Sequence, residues 1–448
     1  MNHNHRQVLA DYAEKNGLKV TRGVADIPTA FTATYGSGKP VISILGEFDA
    51  LPGISQKAQP EKEAYEEGAA GHGCGHNMFG TSSLGTPAEE KFFAKVWMVE
   101  AGLWDDVDVN LSWHPSADIE ADVQSGLSLI DFIVEFEGQA AHASMDPWNV
   151  VNVVPDYAKL WVRVRDPKRA KMLPTYERVK AMAEGAAIMA NVDYKISLVS
   201  GIYEVLVNRT GGAIMQKNLE LLGPMTYTAE EEAFGKAIQK ATGKPEVGMD
   251  ASINPLRETL ETPGGGSTDV GDVSWNVPNI NLGVTVAPKG TPWHSWAVVA
   301  CGGMSIGHKG MVYASKALGL TAVDLFTNPK LVNEVKEEFK TRKGDEVYKA
   351  MIDGPAPISG ALKVPVILYI LGILAMVVTA YIRKENVTQS SFNLVFIGAL
   401  FFVVSDSILA IDKFSVGIPF AHILIMGTYA TAQYLIMKGV LYQVNNED

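Results

Sequence analysis

Apolar residues fall into two regimes along this chain. Up to Pro357 they come in short bursts separated by polar turns, and from Val364 onward they run almost without interruption. In the first regime, Val41-Ile42-Ser43-Ile44-Leu45 is a β-rich run that predicts a buried strand ending in the loop Gly46–Pro52. Comparable runs predict strands over 107–113, 129–136, 158–165 and 279–287. Helices are predicted over 6–20 (with Val8, Leu9, Tyr12 and Leu18 on one side), 89–101, 175–189, 212–222, 228–241, 302–318 and 330–341. Strands alternating with helices predict an α/β core, and 129–165 reads as a small α+β insertion in it.

In the second regime, Val364–Ile382, Phe392–Ile411 and Ile418 to Met437 are each close to the roughly 20 apolar residues that cross a bilayer. They predict three transmembrane helices; the alternative is three deeply buried helices of a soluble domain. Charge marks the same break. From Gly360 on, the chain holds five basic and five acidic residues, so the preceding part carries the whole net charge of −12. This sets a domain boundary after Pro355-Ala356-Pro357.

A length of 448 residues leaves room for two or three domains. The acidic balance argues against nucleic acid as a partner. Two cysteines give no disulfide framework and point to a reducing compartment. The polar start, Met1 to Arg6, has no apolar run of the signal-peptide type.

Candidate chemistry follows from scarcity. The chain has two cysteines and nine histidines, yet several stand in short motifs dense in Gly, Pro and Trp. These are Gly73-Cys74-Gly75-His76, Trp113-His114-Pro115 and Trp293-His294-Ser295, joined by the pair Glu89-Glu90. A thiolate, imidazole and carboxylate set suits Zn²⁺, and Mn²⁺ where carboxylate and imidazole dominate. Each residue taken alone has a plainer reading. An acidic pair at a helix start is a solvated face favoured by the dipole, His114 a satisfied core histidine, and His294 a packing residue.

Taken in order, six segments resemble the M20 family of metal-dependent amidohydrolases and peptidases, in its aminobenzoyl-glutamate hydrolase branch. They are Gly-Glu-Phe-Asp-Ala-Leu-Pro (46–52), Gly-His-Gly-Cys-Gly-His-Asn (71–77), Thr-Pro-Ala-Glu-Glu (86–90), Gly-Gln-Ala-Ala-His-Ala-Ser (138–144), Gly-Ser-Thr-Asp-Val-Gly-Asp-Val-Ser (266–274) and Thr-Pro-Trp-His-Ser (291–295). The resemblance covers 6–358. It implies a zinc-peptidase-like α/β catalytic domain in two parts, 1–128 and 213–355, around an α+β satellite domain, 129–212, here truncated; the membrane helices read from the apolar runs follow at 360–444. It implies two divalent ions, Mn or Zn, with Cys74, His76, Glu90, His114 and His294 as ligands. Glu89 would be the general base and later acid, Asp49 would orient an imidazole, and His142 would help bind substrate at a homodimer interface. A small acyl-amino-acid substrate is expected, such as aminobenzoyl-glutamate.

Two departures from the family stand out. Between His76 and Glu89 the family has a helix and a central strand, and Ser83-Leu84-Gly85-Thr86 is too short to hold either. Trp148 to Val153 likewise joins the first satellite strand almost directly to Val154-Pro155-Asp156, where the family has a helix and another strand. The C-terminal stretch Gly398 to Ala410 resembles part of the YhhN family of membrane proteins, which includes lysoplasmalogenases. Asp406 would be its acidic site residue; the alternative is an Asp satisfied by Ser405, Ser407 or neighbouring helices. The expected protein is therefore a membrane-tethered metallohydrolase with its hydrolase domain in the cytoplasm. The alternatives are a lysoplasmalogenase-like lipid hydrolase and a catalytically inactive fusion lacking core segments of both families.

Overall fold

Seven strands form the larger sheet of the computed structural model: β1 (Lys19–Arg22), β2 (Phe31–Thr34), β3 (Ile42–Glu47), β4 (Leu84–Thr86), β5 (Val109–Ser116), β6 (Glu120–Asp122) and β12 (Asn279–Thr285). Their spatial order is β1-β2-β4-β3-β5-β12-β6. The structure describes residues 3–80, 84–90, 92–139, 141–142, 153–154, 156–258, 263, 265–354, 363–414 and 420–444. It divides into two compact units, one of Leu9–Ala356 and one of Asn2–Val8 with Pro357–Asp448.

In the first unit β4, β3, β5 and β12 run parallel, while β1, β2 and β6 pair antiparallel at the two edges. Leu45 and Leu111 are fully buried on the central strands, as their apolar runs require. Beside them lies a buried polar ladder. The Ser43 hydroxyl donates to Asn110 Oδ1 at 2.5 Å, and Asn110 Nδ2 donates to Asn279 Oδ1 at 2.6 Å, so each strand satisfies the polar group of the next.

A second sheet, in the order β10-β7-β11, is built from β7 (Ser128–Glu137), β10 (Tyr157–Asp166) and β11 (Asp193–Ile202). One face carries Ile130, Phe132 and Val134, which pack on Met172 and Tyr176 of helix α4 (Arg169–Ala190). The strand period of two places Leu129, Asp131, Trp161, Arg163 and Arg165 on the opposite face. Short strands β8 (Ala141–His142) and β9 (Val153–Val154) pair with one another.

Three expectations are corrected. The segment 83–86 does hold a strand. Three residues of β4 suffice because each edge finds a partner, β2 antiparallel and β3 parallel, and Thr86 Oγ1 adds a bond to the Gly46 carbonyl. The helix predicted over 89–101 starts only at Lys95, as α3 (Lys95–Glu100), because Ala88 and Phe93 sit at φ 62° and 56° and break the helical path. Glu89 and Glu90 thus lie in a turn and not on a helix face. The N-terminal helix α1 (His3–Lys15) ends before Leu18, where Gly17 turns at φ 87°.

The second unit contains α11 (Lys363–Ile382), α12 (Gln389–Phe414) and α13 (Ala421–Val444). Among the described residues one stretch, Gln389–Leu409, is long and apolar enough to cross a bilayer by length and composition, with a mean hydropathy of 2.1. The described residues of the three predicted runs are helical almost throughout, but three spans do not follow from them.

Candidate metal centre

The residues singled out from sequence gather where the parallel strands β3 and β5 end and in the loops that follow, the usual place for a site in an α/β sheet. Glu47 closes β3, and His114 lies near the end of β5. Gly73-Cys74-Gly75 forms a tight loop leading into the short helix α2 (His76–Phe79). Glycine is required twice here. Gly75 turns at φ +78°, and a Cβ on it would lie 2.8 Å from the Pro115 side chain. A Cβ on Gly73 would lie 2.5 Å from Ile54 and 3.1 Å from the His294 Cα, so the two loops meet at that point. The His294 N–H donates to the Gly73 carbonyl at 2.9 Å, and His294 itself is held in the left-handed region at φ 59°.

Candidate donor atoms converge in three sets, each within 4.8 Å: Cys74, His76 and His114; Cys74, Glu90 and His294; and Glu47, His76 and Glu89. All five predicted ligands and Glu89 fall in these sets. Cys74 Sγ lies 3.5 Å from His114 Nε2, and His294 Nε2 lies 3.5 Å from Glu90 Oε2. His114 Nδ1 faces the Pro115 carbonyl at 2.7 Å, which places the ring proton there and leaves the Nε2 lone pair toward Cys74. Asp49 touches both His76 and the Glu90 backbone. Its Oδ1 is 3.0 Å from His76 Nδ1, and its Oδ2 accepts the Glu90 N–H at 2.9 Å. His142 lies in β8, opposite Val153, and its side chain is outside the described residues. In the second unit, Asp406 Oδ2 accepts from the Tyr369 hydroxyl at 2.7 Å.

The groups of this cluster shift one another strongly. Burial pushes the Cys74 thiol up to about 11. Burial raises Glu90 to about 7 against the pull of the His76 charge. Burial, then the charges of Glu47 and Asp269, hold the Glu89 carboxyl well above the usual carboxylate range. His114, although part of its surface meets solvent, is pushed down to about 4 by burial and by His76. Burial alone would lower His76, but Glu47 and Asp49 together raise it well above the ordinary value. A divalent cation reverses this balance, since it favours thiolate, carboxylate and neutral imidazole together. The donor set therefore fits such an ion.

Sequence reasoning missed four residues here. Glu47 and Lys95 are buried at the centre, where Lys95 Nζ donates to Glu47 Oε1 at 2.7 Å and to Asp269 Oδ1 at 2.5 Å. Arg163 and Arg165 from β10 line the same cavity of about 540 Å³ as Glu89, Glu90, His114 and His294. Arg163 Nη2 donates to buried Asp131 at 2.5 Å, whereas Arg165 has no hydrogen-bond partner among the described residues. Burial, then the charge of Arg163, hold the Arg165 guanidinium below its usual value. The strand period could have placed both arginines on the face away from α4.

The chain is similar to several known proteins. The chain is 31% identical to the B subunit of p-aminobenzoyl-glutamate hydrolase from Escherichia coli, matched across 77% of this chain and 89% of that one. It belongs to that protein's family, the M20 amidohydrolases and peptidases. It is also 25% identical to the Xaa-Arg dipeptidase of Mus musculus, over 71% of this chain and 80% of the relative. The first alignment runs over 433 residues while drawing on 77% of the 448 here, so it carries gaps on this side. Among solved structures, a dinuclear metal-binding M20 peptidase from Bacillus subtilis matches at 16% identity and a TM-score of 0.43, over 70% of this chain and 90% of its own. The aminobenzoyl-glutamate utilization protein from Klebsiella pneumoniae matches at 16% identity and a TM-score of 0.40, over 69% and 91%. The YhhN family matches residues 347–440.

Proposed function

We propose that the chain is a metal-dependent amidohydrolase that cleaves the amide of an N-acyl amino acid such as p-aminobenzoyl-glutamate. The observation that carries this reading is the convergence of Cys74, His76, Glu90, His114 and His294, from four separate segments, with donor atoms in sets spanning 4.8 Å. These five side chains would hold two divalent ions, Mn or Zn. When bound, the ions polarise the scissile carbonyl and lower the pKa of water. Glu89 takes a proton from the attacking water and returns it to the leaving amine, a task its raised proton affinity suits. Asp49 fixes the His76 ring through Nδ1. Arg165, with Arg163 beside it, offers an unmatched cation to the substrate carboxylate.

The test is p-aminobenzoate release by purified protein supplied with Mn²⁺ or Zn²⁺. Glu89→Gln lowers turnover by at least 10²- to 10⁴-fold while bound metal is kept. Unchanged turnover in that variant, or in chelator-treated protein, refutes the reading.

The tail would anchor this hydrolase to a membrane, with Gln389–Leu409 as one span and the flanking helices α11 and α13 as two more. The YhhN match and the Tyr369–Asp406 hydrogen bond favour a second reading, in which the tail carries lipid-hydrolase chemistry of its own. Vinyl-ether lipid cleavage that is lost in Asp406→Asn supports it, and no lipid turnover by the wild type removes it.

A further inference from the structure

The two carboxylate oxygens of Glu47 have different surroundings. Oε1 accepts from Lys95 Nζ at 2.7 Å. That lysine is held in turn by Asp269, through its Nζ at 2.5 Å and its backbone N–H at 3.0 Å. All three side chains are at most 1% exposed, so the cluster is a fixed internal strut. Oε2 is buried and has no hydrogen-bond partner among the described residues, and neither has His76 Nε2. These two atoms nevertheless lie 3.1 Å apart.

Nδ1 faces Asp49 Oδ1 at 3.0 Å, so the ring turns Nε2 toward Glu47 Oε2. A divalent cation between these two atoms would be held by the Nε2 lone pair and the Oε2 charge together, while Nδ1 keeps the ring proton on Asp49. A spacing of about 3 Å is also what two neighbouring donors have when each stands roughly 2.1 Å from one ion. The Glu89 carboxylate borders the same point, within 4.8 Å.

We propose that Glu47 is a further divalent-cation ligand beside His76, with Lys95 and Asp269 as positioning residues that hold it by its other oxygen. The inference rests on the metallohydrolase reading above. A hard oxygen added to a thiolate and imidazole set moves the centre toward Mn²⁺.

The test uses the full chain in detergent, stripped by chelator and titrated with Mn²⁺ and Zn²⁺, for wild type and Glu47→Gln. Bound metal is counted by mass spectrometry and affinity is read by calorimetry. Glu47→Gln is expected to bind Mn²⁺ at least tenfold more weakly and to lose less affinity for Zn²⁺. Wild-type stoichiometry and affinity for both metals in folded Glu47→Gln overturn the inference and make Glu47 the partner of a protonated His76 alone. That outcome leaves the hydrolase reading intact, whereas a wild type that binds neither metal overturns both. Should Glu47→Gln not fold, Glu47→Asp keeps a carboxylate for Lys95 while its shorter side chain withdraws the second oxygen from His76, and it carries the same titration.

Discussion

Cys74 Sγ stands 3.5 Å from His114 Nε2, although 40 positions separate the two residues in sequence. A loop and a strand end are brought together by glycines that leave no room for a side chain. A thiol pushed up to about 11 by burial is a poor nucleophile and a poor ion-pair partner without a cation. Cys74→Ser should therefore reduce bound Mn²⁺ or Zn²⁺ at least tenfold, as measured by equilibrium dialysis. Wild-type metal content in that variant would place the thiol outside the centre.

Asp49 contacts the same cluster through His76. Asp49→Asn keeps the shape but replaces an acceptor of the Nδ1 proton or of the Glu90 N–H by a donor. Metal affinity is expected to fall by roughly 10- to 100-fold, the range found for such orienting groups. A titration that superimposes on the wild type would assign Asp49 to the turn alone.

Arg165 should govern substrate recognition. Arg165→Met is expected to raise KM about tenfold or more for an N-acyl glutamate, with little change for the N-acyl glutamine analogue, because only the carboxylate loses its partner. Equal effects on the two substrates would count against a carboxylate contact. Arg163→Met should also destabilise the fold, because it leaves the buried Asp131 carboxylate without its charged partner.

Away from the metal centre, Asp272 gives a pH signature. Burial raises it to about 8, with the Tyr348 hydroxyl opposing at 2.9 Å. An unfolded Asp titrates near 3.8. Between these values the folded chain holds a proton that the unfolded chain has released, so stability falls as pH rises and levels off above about 8. Asp272 also accepts the Tyr203 N–H at 3.3 Å, and Asp272→Asn can keep both hydrogen bonds, because Tyr348 Oη can also accept. The variant should flatten the pH 5–8 decline in thermal stability, by an amount on the order of a few kcal/mol at pH 8. Parallel pH profiles for wild type and variant would show that Asp272 is charged in the native state.

Much of this is legible in the chain. Strands β3, β5, β7 and β12 fall within a few residues of the apolar runs that predict them, because buried strands must be apolar, and β10 matches its run although it is largely exposed. β11 escapes that reading although Tyr194, Ile196 and Leu198 alternate as a half-buried strand should. The start of α3 could not be read, since neither Ala88 nor Phe93 is a residue type that signals a left-handed turn. The six site residues Cys74, His76, Glu89, Glu90, His114 and His294 stand out because Cys and His are scarce and sit among glycines and tryptophans. Lys95, Arg163 and Arg165 do not, because a charged residue on a helix or strand reads as solvated until the fold shows what lies over it. Glu47 is in view inside Gly-Glu-Phe-Asp-Ala-Leu-Pro, but only the approach of Lys95 and His76 from distant segments gives its two oxygens separate partners.

The most direct measurement is metal stoichiometry on the folded full-length chain after dialysis against Mn²⁺ or Zn²⁺ near pH 8, with p-aminobenzoyl-glutamate cleavage followed in the same samples. Two bound ions, and turnover that disappears with them and returns on their addition, are the predicted result. A folded chain that binds no divalent cation, or that cleaves the amide equally well without one, would contradict it.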